Sequence, residues 1–201
     1  MSKIKYQKII NDVNAIYSYI LTENEIRKLS DNIFKLVNKN RSKKKKNINE
    51  KDILLITYAD TLKCKNKKSL NVLSDFLDIY IKKIINIIHI LPFYPSSSDG
   101  GFAVTDFFKI DSKHGNWNDL NKLSNNYKIM SDVVLNHASS KSKWFKNFLE
   151  NYGEGKDYFL TVEKEFNTQH IVRARSHKLL QKFKTKNEHK LVWCTFSRDQ
   201  V

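Results

Sequence analysis

Side chains able to do chemistry gather in one loop, which runs from His89 to Phe107 as HILPFYPSSSDGGFAVTDF. Two prolines, three serines and a Gly-Gly pair interrupt the backbone there. The same stretch holds Asp99, Asp106 and four aromatic rings. Loops of this length inside compact domains are either binding loops or poorly ordered. The whole chain has only five glycines, so the pair Gly100-Gly101 marks a backbone that has to turn tightly. Taken alone, Asp99 fits an Asx turn beside a core Phe102 as well as it fits a ligand-binding pair. A second polar group, Asp132, Asn136 and His137, sits in DVVLNH at the end of another apolar run. A lone histidine at a strand end is more often structural than ligand-binding, and two oxygen ligands are too few for a calcium site. Cys64 and Cys194 have no metal-ligand spacing and cannot build a disulfide framework. They read as buried or half-buried thiols, and no metal or cofactor is expected.

These residues need a scaffold, and the apolar periodicity supplies one. Residues 4–21 and 24–38 read as two helices. The second opens on a capping box, Thr22 with Glu25, and carries Ile26, Leu29, Ile33 and Val37 on one face. A basic linker follows at 39–50. DILLITYAD (52–60) is a continuous β-type run, the pattern of a strand buried on both faces. Leu70, Leu73, Leu77, Tyr80, Ile81 and Ile84 form a helical stripe. A second strand follows near 86–91, a short helix near 117–127 and a third strand near 129–136. Strands alternating with helices argue for βαβ units and a parallel sheet, with active sites where the strands end at their carboxyl side. From Ser139 onward the rhythm changes to short apolar pieces such as YFLTV and LVWCTF, a separate excursion of loops and short strands. The expected organisation is therefore 1–50 helices and linker, 51–138 the α/β part and 139–201 an insertion.

The chain has 201 residues, 40% hydrophobic and 12% aromatic, enough for a packed core. Its net charge of +15 invites a nucleic-acid reading, but only five of the 36 basic residues are Arg, and base readout leans on bidentate Arg. The only dense run, Arg41–Lys46, lies in the linker. A solvated basic surface is the better reading. No apolar stretch reaches signal-peptide or membrane length, which points to a cytoplasmic protein that makes no membrane contact.

ITYAD, HILPFYPSSSDGGFAVTDF, GNW, DVVLNH, SSKSKWF, RARS and VWCTFSRDQV occur in the order found in sucrose phosphorylase-like enzymes. The chain thus resembles glycoside hydrolase family 13, the α-amylase superfamily, and leans toward its glucosylglycerate and sucrose 6-phosphate branch. The resemblance implies the N-terminal part of a (β/α)8 barrel, about three strands, with a B domain inserted after the third. It implies a retaining double displacement of an α-glucoside, resolved by inorganic phosphate instead of water. It places Asp99, Phe102, His137 and Gln200 around glucose, with Asp99 accepting from sugar hydroxyls and His137 donating to one. Arg173 and Arg175 match an Arg-Pro-Arg motif facing the acceptor or phosphate, although Ala174 replaces the proline. Asp132 and Asn136 support the site from behind. The family's nucleophile lies in an Arg-x-Asp motif, and none occurs here. The acid/base and third carboxylate are likewise expected beyond Val201. Three strands cannot close a barrel, which takes ~250 residues, so the chain made alone is expected to be insoluble or molten and inactive. Rival readings are an α-glucosidase or transglucosidase of the same superfamily, a basic nucleic-acid-binding protein and a carbohydrate-binding remnant.

Overall fold

Thr22 decides where the N-terminal helices part. In the computed structural model, which describes residues 3–39, 48–163 and 166–201, α1 spans Lys3–Tyr17 and α2 spans Glu23–Lys39. The Thr22 N–H donates to Glu25 Oε2 at 2.8 Å and the Glu25 N–H to Thr22 Oγ1 at 3.4 Å. This reciprocal cap requires a non-helical Thr22, so α1 stops at Tyr17 instead of running to 21. Val13 and Ile26 are buried, and Tyr6 meets Phe34 edge-on at 5.1 Å. Val37, expected on the inner face, is exposed. The basic run Arg41–Lys46 lies outside the described residues. This unit ends at Ile48, and a second compact unit spans Asn49–Val201.

The second unit is built on a three-stranded parallel sheet. β1 (Leu54–Thr57), β2 (Ile87–Ile90) and β3 (Lys128–Ser131) lie in that order. Leu54 pairs with Ile87, and Ile87 with Lys128. Parallel strands need long crossovers, and two helices supply them. α3 (Ser69–Phe76) continues into a π-helical turn, Leu77–Ile81. α4 (Trp117–Ser124) starts on a capping box of Asn116 and Asp119. Leu70, Leu73, Leu77, Leu120 and Leu123 pack with Ile88, Ile90 and Phe93 in one core. Burying each such side chain contributes about 1.5–3 kcal/mol. The π turn widens the helix and shifts its period, so of the expected stripe Leu77 is buried and Ile81 still packs against the core, while Tyr80 and Ile84 are exposed.

Two strand expectations need correction. The strands are buried on one face only, because α3 and α4 cover one side while Ile56 and Met130 stay exposed on the other. The third strand ends at Ser131, not at 136, since 132–136 joins no strand ladder. Val133 and Leu135 are consequently 73% and 87% exposed.

The 139–201 excursion leaves and returns at one point. Ala138 and Val201 exchange backbone hydrogen bonds, both at 2.9 Å, and Ser139 bridges Gln200. Between those ends lies an antiparallel sheet, ordered β4 (Thr161–Val162), β6 (His189–Trp193), β5 (Leu180–Lys184). A helix not foreseen, α5 (Lys143–Glu150), is capped by Ser142 and buries Phe145 and Phe148 against Val192, Cys194 and Val201. Cys194 is buried, and burial pushes its thiol up to about 11. Cys64, expected buried or half-buried, is exposed instead.

Candidate functional site

All three parallel strands end at the same edge of the sheet, and the chain leaving those ends builds the candidate site. After β2 the loop folds back on itself. Ser96 and Val104 form an antiparallel bridge, the Ser97 N–H donates to Ala103 O at 3.0 Å, and the Thr105 N–H to Pro95 O at 2.8 Å. At its tip Asp99, Gly100 and Gly101 take φ values of 58°, 58° and 108°. A Cβ on Gly101 would stand 2.3 Å from the Pro92 carbonyl oxygen, so only glycine lets the tip pass the buried Pro92. Asp99 itself is held left-handed, a conformation that costs an L residue on the order of 1–2 kcal/mol. Such strain collects at functional positions.

The tip faces the residues that follow β3 and those that close the insertion. Asp99, Phe102, Asp132, Asn136, His137, Arg175 and Gln200 line one cleft of about 390 Å³, together with Val133, Val134 and Phe196. That volume falls in the range of small-molecule sites. Gln200 is buried and its Nε2 donates to Asp99 Oδ2 at 2.8 Å. This bond fixes one carboxylate oxygen, and Asp99 is otherwise exposed. His137 Nε2 lies 3.0 Å from the Phe102 carbonyl. A carbonyl only accepts, so Nε2 carries the proton. The 3.3 Å approach of Gln200 Nε2 to the same nitrogen is then a contact between two donors. Nδ1 is buried without a partner. Burial lowers the His137 pKa, against the opposing pull of the Phe102 carbonyl and the Asp99 charge, so the ring is neutral at pH 7.

His137 therefore has no idle N–H to offer a sugar: a hydroxyl at Nε2 has to share the proton now given to Phe102. Asp132, at the cleft wall, has its Oδ2 3.0 Å from Nε2 of His89 on the neighbouring strand. Arg175 reaches over the Phe196 ring at 5.7 Å. Arg173 is outside the cleft. Its guanidinium donates to the carbonyls of His177 at 2.7 Å and Thr195 at 2.6 Å, so it ties the loop to the end of β6. The two arginines that the motif paired are thus separated.

One residue that the motifs did not single out organises the whole edge. Asp199 accepts hydrogen bonds from the hydroxyls of Ser97, Ser98 at 2.8 Å and Ser140 at 2.5 Å, and Ser139 donates to Ser97 Oγ at 2.6 Å. Burial would raise its carboxyl, but the hydroxyls of Ser140, Ser97 and Ser98 and the charge of Lys141 outweigh that and hold it below the ordinary value. The Ser-Ser-Ser run before Asp99 was the available signal, and it was readable only with its acceptor known.

Parallel strands with α crossovers, an insertion pinched at its stem after the third strand and polar groups converging at the carboxyl edge define the first segment of a (β/α) barrel. The chain belongs to the α-amylase catalytic-domain family, which matches residues 56–193. It is 40% identical over 152 residues to glucosylglycerate phosphorylase of Allomeiothermus silvanus, covering 76% of this chain and 27% of that protein. Against the enzyme of the same name from Escherichia coli it is 34% identical, covering 97% and 35%. Among solved structures, sucrose 6F-phosphate phosphorylase from Thermoanaerobacter thermosaccharolyticum superposes with a TM-score of 0.62 at 32% identity, covering 76% of this chain and 32% of that one. The chain spans about a quarter to a third of the length of the curated relatives it matches.

Proposed function

We propose that this chain forms one wall of the glucose subsite of a retaining α-glucoside phosphorylase. What supports the reading most is convergence: seven of the eight residues singled out from the sequence line one cleft at the carboxyl edge of the sheet. In this reading Asp99 accepts from sugar hydroxyls through the oxygen that Gln200 leaves free. Its charge favours the oxocarbenium character of the transition state. Phe102 offers the ring face, His137 shares its Nε2 proton with a hydroxyl, and Arg175 meets phosphate with a guanidinium fork. Asp132 and Asn136 line the same cleft and support these residues without a direct role toward the sugar. Arg173 acts on the loop instead of on the ligand.

The reaction breaks the bond from the anomeric carbon to the leaving oxygen, which takes a proton from a carboxylic acid. A carboxylate forms the glucosyl-enzyme ester, and a phosphate oxygen displaces it to give α-glucose 1-phosphate. Neither carboxyl group is among the cleft residues assigned here, so the reading requires them from residues beyond this stretch or from a second polypeptide. The relatives named glucosylglycerate phosphorylase make glucosylglycerate the first donor to test, with sucrose and its 6F-phosphate next. Among the described residues no helix is long and apolar enough to cross a membrane, and the thiols are free. Both fit action in the reducing cytoplasm. The test uses the gene product purified from its own cells, supplied with each donor with and without inorganic phosphate. α-Glucose 1-phosphate formed only with phosphate upholds the reading. Glucose released at the same rate without phosphate overturns it in favour of a hydrolase.

A further inference from the structure

The three segments that supply Asp99, His137 and Gln200 are far apart in sequence, yet each carries a group bound to the Asp199 carboxylate. Ser97 and Ser98 immediately precede Asp99. Ser139 and Ser140 follow His137 by two and three residues. Asp199 itself precedes Gln200. Its Oδ2 takes Ser97 and Ser98, and its Oδ1 takes Ser140. Ser139 donates to Ser97 Oγ at 2.6 Å and so joins the clasp through it, and the Ser140 N–H donates to the Asp199 carbonyl at 2.9 Å. A carboxylate has about four lone-pair sites, so most of its acceptor capacity is spent on drawing these segments together, and it is absent from the residues lining the cleft.

We propose that Asp199 is a positioning residue that sets the spacing of Asp99, His137 and Gln200 across the sugar cleft. The assignment rests on the glucose-subsite reading for its purpose, but its geometry is independent of that reading. A carboxylate suits the role because it alone can accept from several hydroxyls at once with charge-assisted bonds. Each serine rotor then has its proton direction fixed, and the backbone of the next residue is fixed with it. Loss of the clasp lets the Asp99 tip and the Gln200 terminus of the insertion move independently, which lengthens the Gln200–Asp99 bond and frees the His137 ring.

The experiment labels histidine Cε1 with carbon-13 in the purified gene product and compares the parent with Asp199→Ala, Ser140→Ala and Ser98→Ala, each titrated with D-glucose. In Asp199→Ala the His137 signal, assigned by His137→Gln, moves before any sugar is added, while the His89 signal stays. Glucose affinity falls on the order of tenfold, the worth of one well-placed charge-assisted hydrogen bond. The two serine variants move the same His137 signal by smaller steps, which keeps the test alive if Asp199→Ala fails to fold. An unmoved His137 signal and unchanged glucose affinity in a folded Asp199→Ala overturn the assignment and leave Asp199 a local staple. Failure of the serine variants to move the signal, when Asp199→Ala is unfolded, overturns it as well. A parent protein that shows the His137 displacement on substitution but binds no glucose upholds the clasp and refutes the subsite.

Discussion

Gly100 and Gly101 are neighbours with opposite tolerance, and alanine at each separates the two reasons a chain uses glycine. At Gly101 the φ of 108° lies outside the regions open to L residues, a strain of about 1–3 kcal/mol. The new Cβ would also stand 2.3 Å from the Pro92 carbonyl oxygen and 3.3 Å from its carbon. The opposing atoms are backbone, so they cannot swing aside, and forced overpacking adds about 1–3 kcal/mol. Gly101→Ala therefore costs roughly 2–6 kcal/mol, a large part of a typical total of about 5–15 kcal/mol. At Gly100 the φ of 58° is left-handed, but the nearest atoms are the Tyr58 ring at 3.6 Å, ordinary contact. The strain there is about 1 kcal/mol, partly offset by about 0.4–1 kcal/mol from a stiffer unfolded chain. Urea unfolding followed by circular dichroism measures both. Gly100→Ala should shift stability by less than about 1 kcal/mol, and Gly101→Ala by several times more. Equal losses would refute the assignment of the Pro92 contact as the reason for the Gly-Gly pair.

Other outcomes follow from the same geometry. Asp99→Gly relieves a left-handed aspartate, so the tip loses no backbone stability while glucose binding, read by calorimetry, disappears; retained binding would remove Asp99 from the site. His114 and His137 are both lowered, chiefly by burial. Each is neutral in the fold while the unfolded imidazole takes a proton near about 6.5. Their stability is thus full above that pH and is lost as pH falls through the lower folded values. His137→Gln shallows this acid slope in pH-dependent unfolding, and an unchanged slope contradicts the burial argument. Arg173→Ala loses two carbonyl bonds and costs about 2–4 kcal/mol of stability, whereas exposed Arg175→Ala leaves stability intact and raises the KM for phosphate. Finally, Ile56, Met130, Val133 and Leu135 lie exposed on or beside the open sheet, so the 201-residue chain produced by itself should bind a hydrophobic dye and aggregate. Monomeric, dye-silent material would count against that.

The strands and the tip were legible because their signals are local. Apolar runs at 54–57 and 87–90 and the Gly-Gly pair after Asp99 need only neighbours to be read. The end of the third strand is not legible because DVVL is as apolar as a buried strand, yet its hydrogen bonds depend on a neighbour that hydropathy cannot supply. α5 carries a weaker signal: Ser142 followed by Trp144, Phe145, Phe148 and Leu149 has helical spacing, but over only eight residues. The Asp199 clasp joins residues 59 to 102 positions apart, and bonds of that reach leave no spacing pattern. Arg173 and Arg175 look equivalent in sequence, and only the carbonyls of His177 and Thr195 tell them apart. The cleft residues were found through whole motifs, since Asp99 or His137 alone reads equally well as structural.

The central claim is that this chain supplies the glucose-holding wall while the attacking and protonating carboxyl groups come from elsewhere. The most direct test is the intact denatured mass of the polypeptide that carries these peptides in fractions forming α-glucose 1-phosphate from glucosylglycerate and phosphate. Activity is expected in a polypeptide well above 23.7 kDa, or in a complex with a second polypeptide. Phosphorolysis by a pure chain of 23.7 kDa acting alone would contradict it.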